Sequence, residues 1–216
     1  KGETSTIAHG LGTRFRVAPK TQRSITGYTF AKPYRLLYVS TIDEYKHQWH
    51  VVEAVEALRQ RGYPLALDLV GSAYAPSLFR LKATMNRLDP DNDWVCYHGS
   101  APYSELHQHY AQADLGIFAS SCENMPIILL EMMGMGLPVA CSNRGAMPEV
   151  LGDAGVYFDP ENPEEIAQSL NSLIESVELR AKKAAASFAS AQVFSWEKSA
   201  NETFGFLSSV SRGFGG

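Results

Sequence analysis

Cysteine is scarce: three residues, Cys96, Cys122 and Cys141, in a chain of 216. No C-x-x-C pair occurs, and an odd number leaves one thiol unpaired under any scheme, which points to a reducing, cytoplasmic compartment. Each lies in or beside an apolar segment and reads as a small buried hydrophobe. Long apolar runs are also missing. No stretch approaches the roughly 18 residues a membrane span needs, and no secretory signal opens the chain. Charge is modest, at 19% of residues with a formal net charge of −4, so a nucleic-acid-binding surface is excluded as the main function. Missing too is the third glycine of a dinucleotide fingerprint: Gly10-x-Gly12-x-x-Phe15 has neither a convincing strand before it nor an apolar helix after it. A nicotinamide-dependent oxidoreductase therefore lacks its usual loop.

What remains is a 45% hydrophobic chain able to bury a sizeable core, of one domain or one and a half. Residues 1–33 are weakly patterned, with a short strand expected at Thr4–Ala8, and read as an inter-domain connection. The abrupt Lys1-Gly2-Glu3 opening is that expected of a piece of a longer protein. From Tyr34 the pattern becomes regular. Strands are expected at Arg35–Val39, Pro64–Val70, Trp94–Tyr97, Leu115–Ala119, Pro138–Cys141 and Val156–Phe158. Between them lie helices at Trp49–Arg61, Leu78–Leu88 and Tyr103–Ala113, then one after Pro126. Further helices are expected at Pro163–Ser176 and Leu179–Ser190, then one capped by Ser195 that carries Trp196, Phe204, Phe206 and Leu207. Gly213–Gly216 is expected to fray. Such alternation gives an α/β fold, a doubly wound, mostly parallel, Rossmann-like sheet over 34–192 followed by a C-terminal helix over 193–216. Ligands of such sheets sit at the carboxyl ends of the strands, which puts Ser40, Gly71, Gly99 and Ser120 on one rim.

The chemistry concentrates between Ser120 and Asp159. Among the twenty residues from Asn124 to Asn143, Glu131 is the only formally charged side chain. A carboxylate among Ile, Leu and Met must be paired, protonated or aimed into a ligand cavity. Glu123 precedes it by eight positions, beside the helix start, where free N–H groups attract anions such as phosphate. Carboxylates on both sides of a phosphate cradle suit a ligand with hydroxyls at both ends and phosphates in the middle, a nucleotide-sugar.

This stretch resembles the signature of retaining glycosyltransferases of the GT-B architecture, the family 4 or group 1 enzymes. The resemblance rests on Ser120, Glu123-x7-Glu131, Gly136-Leu137-Pro138-Val139, Pro148-Glu149-Val150 and Gly152-Asp153-Ala154-Gly155. It implies that the chain is the donor-binding half of a GT-B fold. Glu123 would contact the donor sugar, Glu131 the ribose, and backbone amides of Asn124, Met125, Pro126-Ile127 the sugar and diphosphate. The family's turn after the first glutamate usually carries glycines, and here it does not. Val39-Ser40-Thr41-Ile42-Asp43-Glu44-Tyr45-Lys46 resembles the family's diphosphate motif, with Lys46 matching the lysine, Thr41 standing for the arginine and Ser40 for the glycine. Lys46 and the amides would then stabilise the departing diphosphate, with neutral hydrogen bonds from Thr41 and Ser40. Gly71 is read as backbone approaching the ligand or as a plain turn. The loop of His98 and Gly99 matches the segment that meets the nucleobase, His98 itself reading first as a strand-end residue. Arg144 faces phosphate or water, and Glu149 is structural.

Two patterns resemble metal sites without their full complement. His47 and His50, followed by Glu53, lack a third ligand in a recognised arrangement. Asp89-Pro90-Asp91-Asn92-Asp93 reads as turn chemistry before a strand. No metal and no cofactor are expected. The partners implied are a nucleotide-sugar such as GDP-mannose or a UDP-sugar, and an acceptor glycan or lipid-linked sugar held mainly by an N-terminal domain outside this chain. Peripheral contact with a membrane is left open. The rival is a non-catalytic nucleotide- or glycan-binding module that keeps the fold, which Thr41 and the glycine-free turn would suit.

Overall fold

The computed structural model describes residues 4–213. Six strands form one all-parallel sheet: β1 (Tyr34–Val39), β2 (Leu65–Val70), β3 (Val95–Tyr97), β4 (Leu115–Phe118), β5 (Val139–Ser142) and β6 (Val156–Phe158), in the order β3-β2-β1-β4-β5-β6. The strands read as near-continuous apolar runs because both faces of a parallel sheet are covered. Leu36, Leu37, Tyr38 and Val39 are all buried, as are Leu67, Leu69 and Val70. The charged exceptions, Arg35 and Asp68, pair with each other at 2.6 Å.

The helices are α1 (Gln48–Gln60), α2 (Ala75–Leu88), α3 (Leu106–Gln112), α4 (Ile127–Gly134), α5 (Met147–Leu151), α6 (Pro163–Glu175), α7 (Val177–Ala191) and α8 (Trp196–Gly213). Right-handed crossovers place α1 and α2 on one face and α3 and α4 on the other, because progress across the sheet reverses between β3 and β4. Accordingly α1 packs between α2 and α6, while α4 packs against α7. The helix α4 is buried nearly all round, with Leu129, Leu130, Met132 and Met133 removed from water. That explains its uninterrupted apolar sequence. Caps are supplied locally: Asn162 Oδ1 accepts from Glu164 N at the start of α6, and Ser195 Oγ from Lys198 N at the start of α8.

Several expectations need correcting. No strand forms at Thr4–Ala8. Instead the segment Gly10–Pro19 crosses the ends of α4 and α7, burying Leu11 and Phe15 and donating Val17 N to Gly134 O at 2.9 Å. The glycines at 134 and 136, read from sequence as a helix stop, have a second reason. A Cβ at either would collide with this segment, at Phe15 O and Leu11 for Gly134 and at Pro19 for Gly136. The helix α3 begins at Leu106 rather than Tyr103, and α5 occupies what sequence showed only as a motif. On α8, Phe204 and Leu207 are exposed and Phe206 is half-buried. The end expected to fray, from 214 onward, lies outside the described residues.

Candidate functional site

The strand order reverses between β1 and β4, and the crevice beyond their carboxyl ends is the ligand position of such sheets. A hollow of about 340 Å³ opens there, lined among others by Ser40, Thr41, Gly71, Tyr103, Ile127 and Glu131. Larger hollows of about 440 and 600 Å³ lie at the opposite end of the sheet, around Lys20 and Asp114 and around Phe30 and Tyr63. Volume alone therefore does not pick out the site. The rim hollow is the one that combines a helix start, hydroxyls and a buried carboxylate.

Glu131 sits one turn into α4 and is 2% exposed. Tyr110 Oη donates to its Oε2 at 2.9 Å. Burial raises its pKa above the ordinary carboxylate range, and the hydroxyls of Tyr110 and Tyr103 oppose that rise by hydrogen bonding to the charged form. A carboxylate held ready in an apolar wall accepts hydrogen bonds from a ligand's hydroxyls better than one in water. Ser40 is 2% exposed, and its Oγ finds no protein partner. The Thr41 and Ser72 hydroxyls lie 3.2 Å apart beside it. Gly71 is required here: a Cβ would overlap Ser40 O, so only glycine lets the ends of β1 and β2 close up.

Beside this hollow, Lys46 ends the short 3-10 turn Glu44–Lys46, whose start is fixed by Asp43 Oδ1 accepting from Glu44 N at 2.7 Å. Lys46 is only 5% exposed and forms an ion pair with Glu123. Its ammonium also lies 4.8 Å from the Tyr45 ring centre and 5.4 Å from that of Phe118. The two loops are tied by the backbone as well, Ser121 N donating to Tyr45 O at 2.8 Å, and Tyr38 Oη anchors Lys46 O at 2.8 Å. Between the two glutamates, Asn124 is exposed, Met125 packs on the core and Pro126 is buried as the N-cap of α4. No side chain caps that helix start, which leaves its first amides available to a ligand anion.

His98 is not brought to the hollow. Its Nε2 lies 2.7 Å from Asp68 Oδ1 and its ring 5.5 Å from that of His109. Asp68 and Cys96 are register partners in the parallel sheet, so strand alternation turns His98 to the Asp68 face. Gly99 shapes the rim only through its carbonyl, which accepts from Gly71 N at 2.8 Å. Arg144 is engaged by Asp159 at 2.6 Å, and Glu149 is exposed. His47 and His50 stack with ring centres 5.5 Å apart, while Glu53 pairs with Arg87 at 2.8 Å. The Asp89 carboxylate accepts from the amides of Asp93, Trp94 and Val95, which is turn chemistry. Among the described residues, no group of three or more His, Cys, Asp or Glu side chains could hold a metal ion.

Sequence reading missed Tyr103, Tyr110, Ser72 and Ser121. No sequence pattern marked them: Tyr103 lies in the turn before α3 and Tyr110 within that helix. The three cysteines are all free; Cys141 is buried, but Cys96 and Cys122, read from sequence as buried hydrophobes, are exposed. No helix among the described residues is long and apolar enough to cross a membrane.

The model of the family described as "Glycosyl transferases group 1" matches residues 24–188. The O-antigen chain mannosyltransferase B of Escherichia coli is 31% identical over 171 residues, which cover 77% of this chain and 44% of that protein. The chain thus spans less than half the length of this relative. Among solved structures, an Anabaena protein, HepE, in complex with UDP-glucose superposes with a TM-score of 0.74 at 23% identity, covering 83% of this chain and 50% of that one. The sucrose-phosphate synthase of Thermosynechococcus elongatus superposes with a TM-score of 0.79 at 18% identity, covering 99% of this chain and 54% of that one. On the family match and the Escherichia coli relative, with the fold seen in both structures, the chain belongs to the glycosyl transferases group 1 family and has the Rossmann-like architecture of a GT-B domain.

Proposed function

We propose that this chain is the donor-binding half of a retaining hexosyltransferase and takes up a nucleoside-diphosphate sugar. The observation that carries the reading is the Lys46–Glu123 ion pair, formed by the loops that follow β1 and β4, together with a hollow lined by the start of α4 and by Glu131. The ribose hydroxyls donate to Glu131. The diphosphate lies at the uncapped amides of α4, with Ser40 Oγ and Thr41 Oγ1 as neutral donors. The sugar lies at Glu123.

The pair then works by exchange. An arriving diphosphate draws the Lys46 ammonium from Glu123, and Glu123, released, accepts hydrogen bonds from sugar hydroxyls. As the bond from the anomeric carbon to the phosphate oxygen breaks, Lys46 and the amides stabilise the charge left on the diphosphate. On this reading no metal ion is obligatory, because those groups supply the positive field. No side chain in the hollow is placed as a general base, so the leaving phosphate or a domain outside this chain assists the acceptor. That other domain holds the acceptor, a growing glycan or lipid-linked sugar, and the exposed side of α8 faces it. Mannose from GDP-mannose is suggested by the Escherichia coli relative, a UDP-sugar by the HepE complex. The setting is cytoplasmic, with the membrane touched peripherally if the acceptor is lipid-linked. The chain alone binds donor without turnover.

The test is saturation-transfer NMR of the chain with UDP-, GDP- and ADP-hexoses. Transfer to both ribose and hexose protons of one of them is expected. A binding module that has lost the sugar site would give ribose signals alone, and no transfer from any of the three would overturn the reading.

A further inference from the structure

We infer that His47 is a positioning residue of the donor site, holding the loop that carries Glu123 against the turn that carries Lys46. The inference rests on the donor-site reading above and adds a residue that neither the motif nor the hollow includes.

The backbone singles His47 out. Its φ of 51° and ψ of 31° are left-handed, a conformation that glycine adopts freely and other L residues only at a cost. Asn92 is the only other non-glycine residue with positive φ among the described residues, and it lies in an exposed turn. A side chain retained at such a position needs a reason. Here the residue is 7% exposed, and its Nε2 lies 2.9 Å from Ser121 Oγ, two residues before Glu123. The same Oγ lies 3.3 Å from Tyr45 O, the residue before Lys46.

The proton count fixes the roles. Ser121 has one hydroxyl hydrogen, and Tyr45 O can only accept, so Oγ donates to it and receives the Nε2–H of His47. A donating Nε2–H suits a neutral or a protonated ring, so Nδ1 decides the charge, and Nδ1 is buried without a partner. A second proton there would place an unpaired charge beside the His50 ring, stacked at 5.5 Å, and near Arg80, which reaches over Trp49 at 4.0 Å. Only Glu161 and Asp159, after β6, favour that charge, and Asp159 is already engaged by Arg144. Burial, then His50, hold the pKa of His47 below its ordinary value, which keeps the ring a neutral Nε2–H donor at neutral pH.

Ser121 is therefore clasped twice to the Lys46 side, by its own amide on Tyr45 O and by His47 on its hydroxyl. The clasp sets where Glu123 stands relative to Lys46, and thus the sugar end of the site rather than the ribose end at Glu131.

Calorimetry of the chain and of four variants, His47→Gly, His47→Gln, Ser121→Ala and the double His47→Gly with Ser121→Ala, with UDP and GDP and with UDP-glucose and GDP-mannose, tests this. Glycine suits the left-handed backbone, so His47→Gly keeps its melting temperature within about 3 °C. It binds the bare nucleotide as the parent does but loses about tenfold for the sugar conjugate. Ser121→Ala reproduces that loss, the double variant is no worse than either single one, and His47→Gln, whose Nε2–H can replace that of the imidazole, restores binding. Parent-like binding of the conjugate by both single variants, or losses that add in the double, would overturn the inference. If the parent chain binds no nucleotide, the donor-site reading fails, and hydrogen exchange still decides on His47. Faster exchange of the Ser121 and Glu123 amides in His47→Gly supports the clasp, and unchanged exchange sinks it.

Discussion

Lys46 and Glu123 lie 77 residues apart in the chain and meet as a largely buried ion pair at the point where the strand order reverses. Each satisfies the other, so neither charge stands uncompensated away from water. On the proposed reading the pair is also the source of the site's chemistry, a diphosphate and a sugar together replacing both partners.

Breaking the pair from either side has different consequences. Glu123→Gln frees the ammonium, so bare UDP or GDP binds several-fold more tightly while the sugar conjugate loses its advantage over the bare nucleotide. Lys46→Ala removes a charge-assisted contact of about 1.5–3 kcal/mol and weakens both ligands by roughly ten- to a hundredfold. Titration calorimetry on the two variants separates these outcomes.

The buried carboxylate of Glu131 predicts two opposite pH trends. Its native pKa lies above the unfolded value, because burial outweighs the Tyr110 and Tyr103 hydrogen bonds. The native state therefore holds this proton more tightly. Its stabilising effect is complete below the unfolded pKa and lost as pH rises through the native one. On the donor-site reading, nucleotide binding needs the ionised acceptor and should weaken as pH falls through that same raised value. Glu131→Gln should flatten both trends, as read by melting temperature and by binding between mildly acidic and neutral pH.

Gly134→Ala sets two effects against each other. Helix propensity favours alanine by about 1 kcal/mol. The new Cβ would overlap Phe15 O and the Leu11 side chain, and overpacking costs about 1–3 kcal/mol. The overlap wins because one colliding atom is backbone. The expected outcome is a melting temperature lower by several degrees and easier proteolysis near Phe15.

Arg180 is fully buried and, among the described residues, has no carboxylate partner. Its guanidinium donates to the carbonyls of Leu173, Ile174 and Arg23 and to Gln22 Oε1, clamping residues 22–23 onto the corner between α6 and α7. Arg180→Met leaves those acceptors bare in the interior and should cost about 3 kcal/mol, measurable by urea denaturation.

The parts legible in the sequence were those set by local chemistry. The strand runs around Leu36 and Leu67 announced a two-sided sheet, and Glu131 announced itself as a lone charge in a buried helix. What was not legible depends on register. His98 matched a motif in sequence, but its side chain follows strand alternation to Asp68. The glycines at 134 and 136 look like a helix stop, and only packing shows the segment they admit. The helix α5 is five residues long, too short for a 3.6-residue period to register. Contacts between distant loops, such as Lys46 with Glu123 and His47 with Ser121, leave no local trace.

The central claim is that the hollow above Glu131 holds the nucleoside half of a nucleotide-sugar. Calorimetric titration of the chain with UDP, GDP and ADP, beside Glu131→Ala, tests it most directly. The account predicts selective binding of one nucleotide by the parent chain, lost by tenfold or more in the variant. Equal binding by parent and variant, or none by the parent, would contradict it.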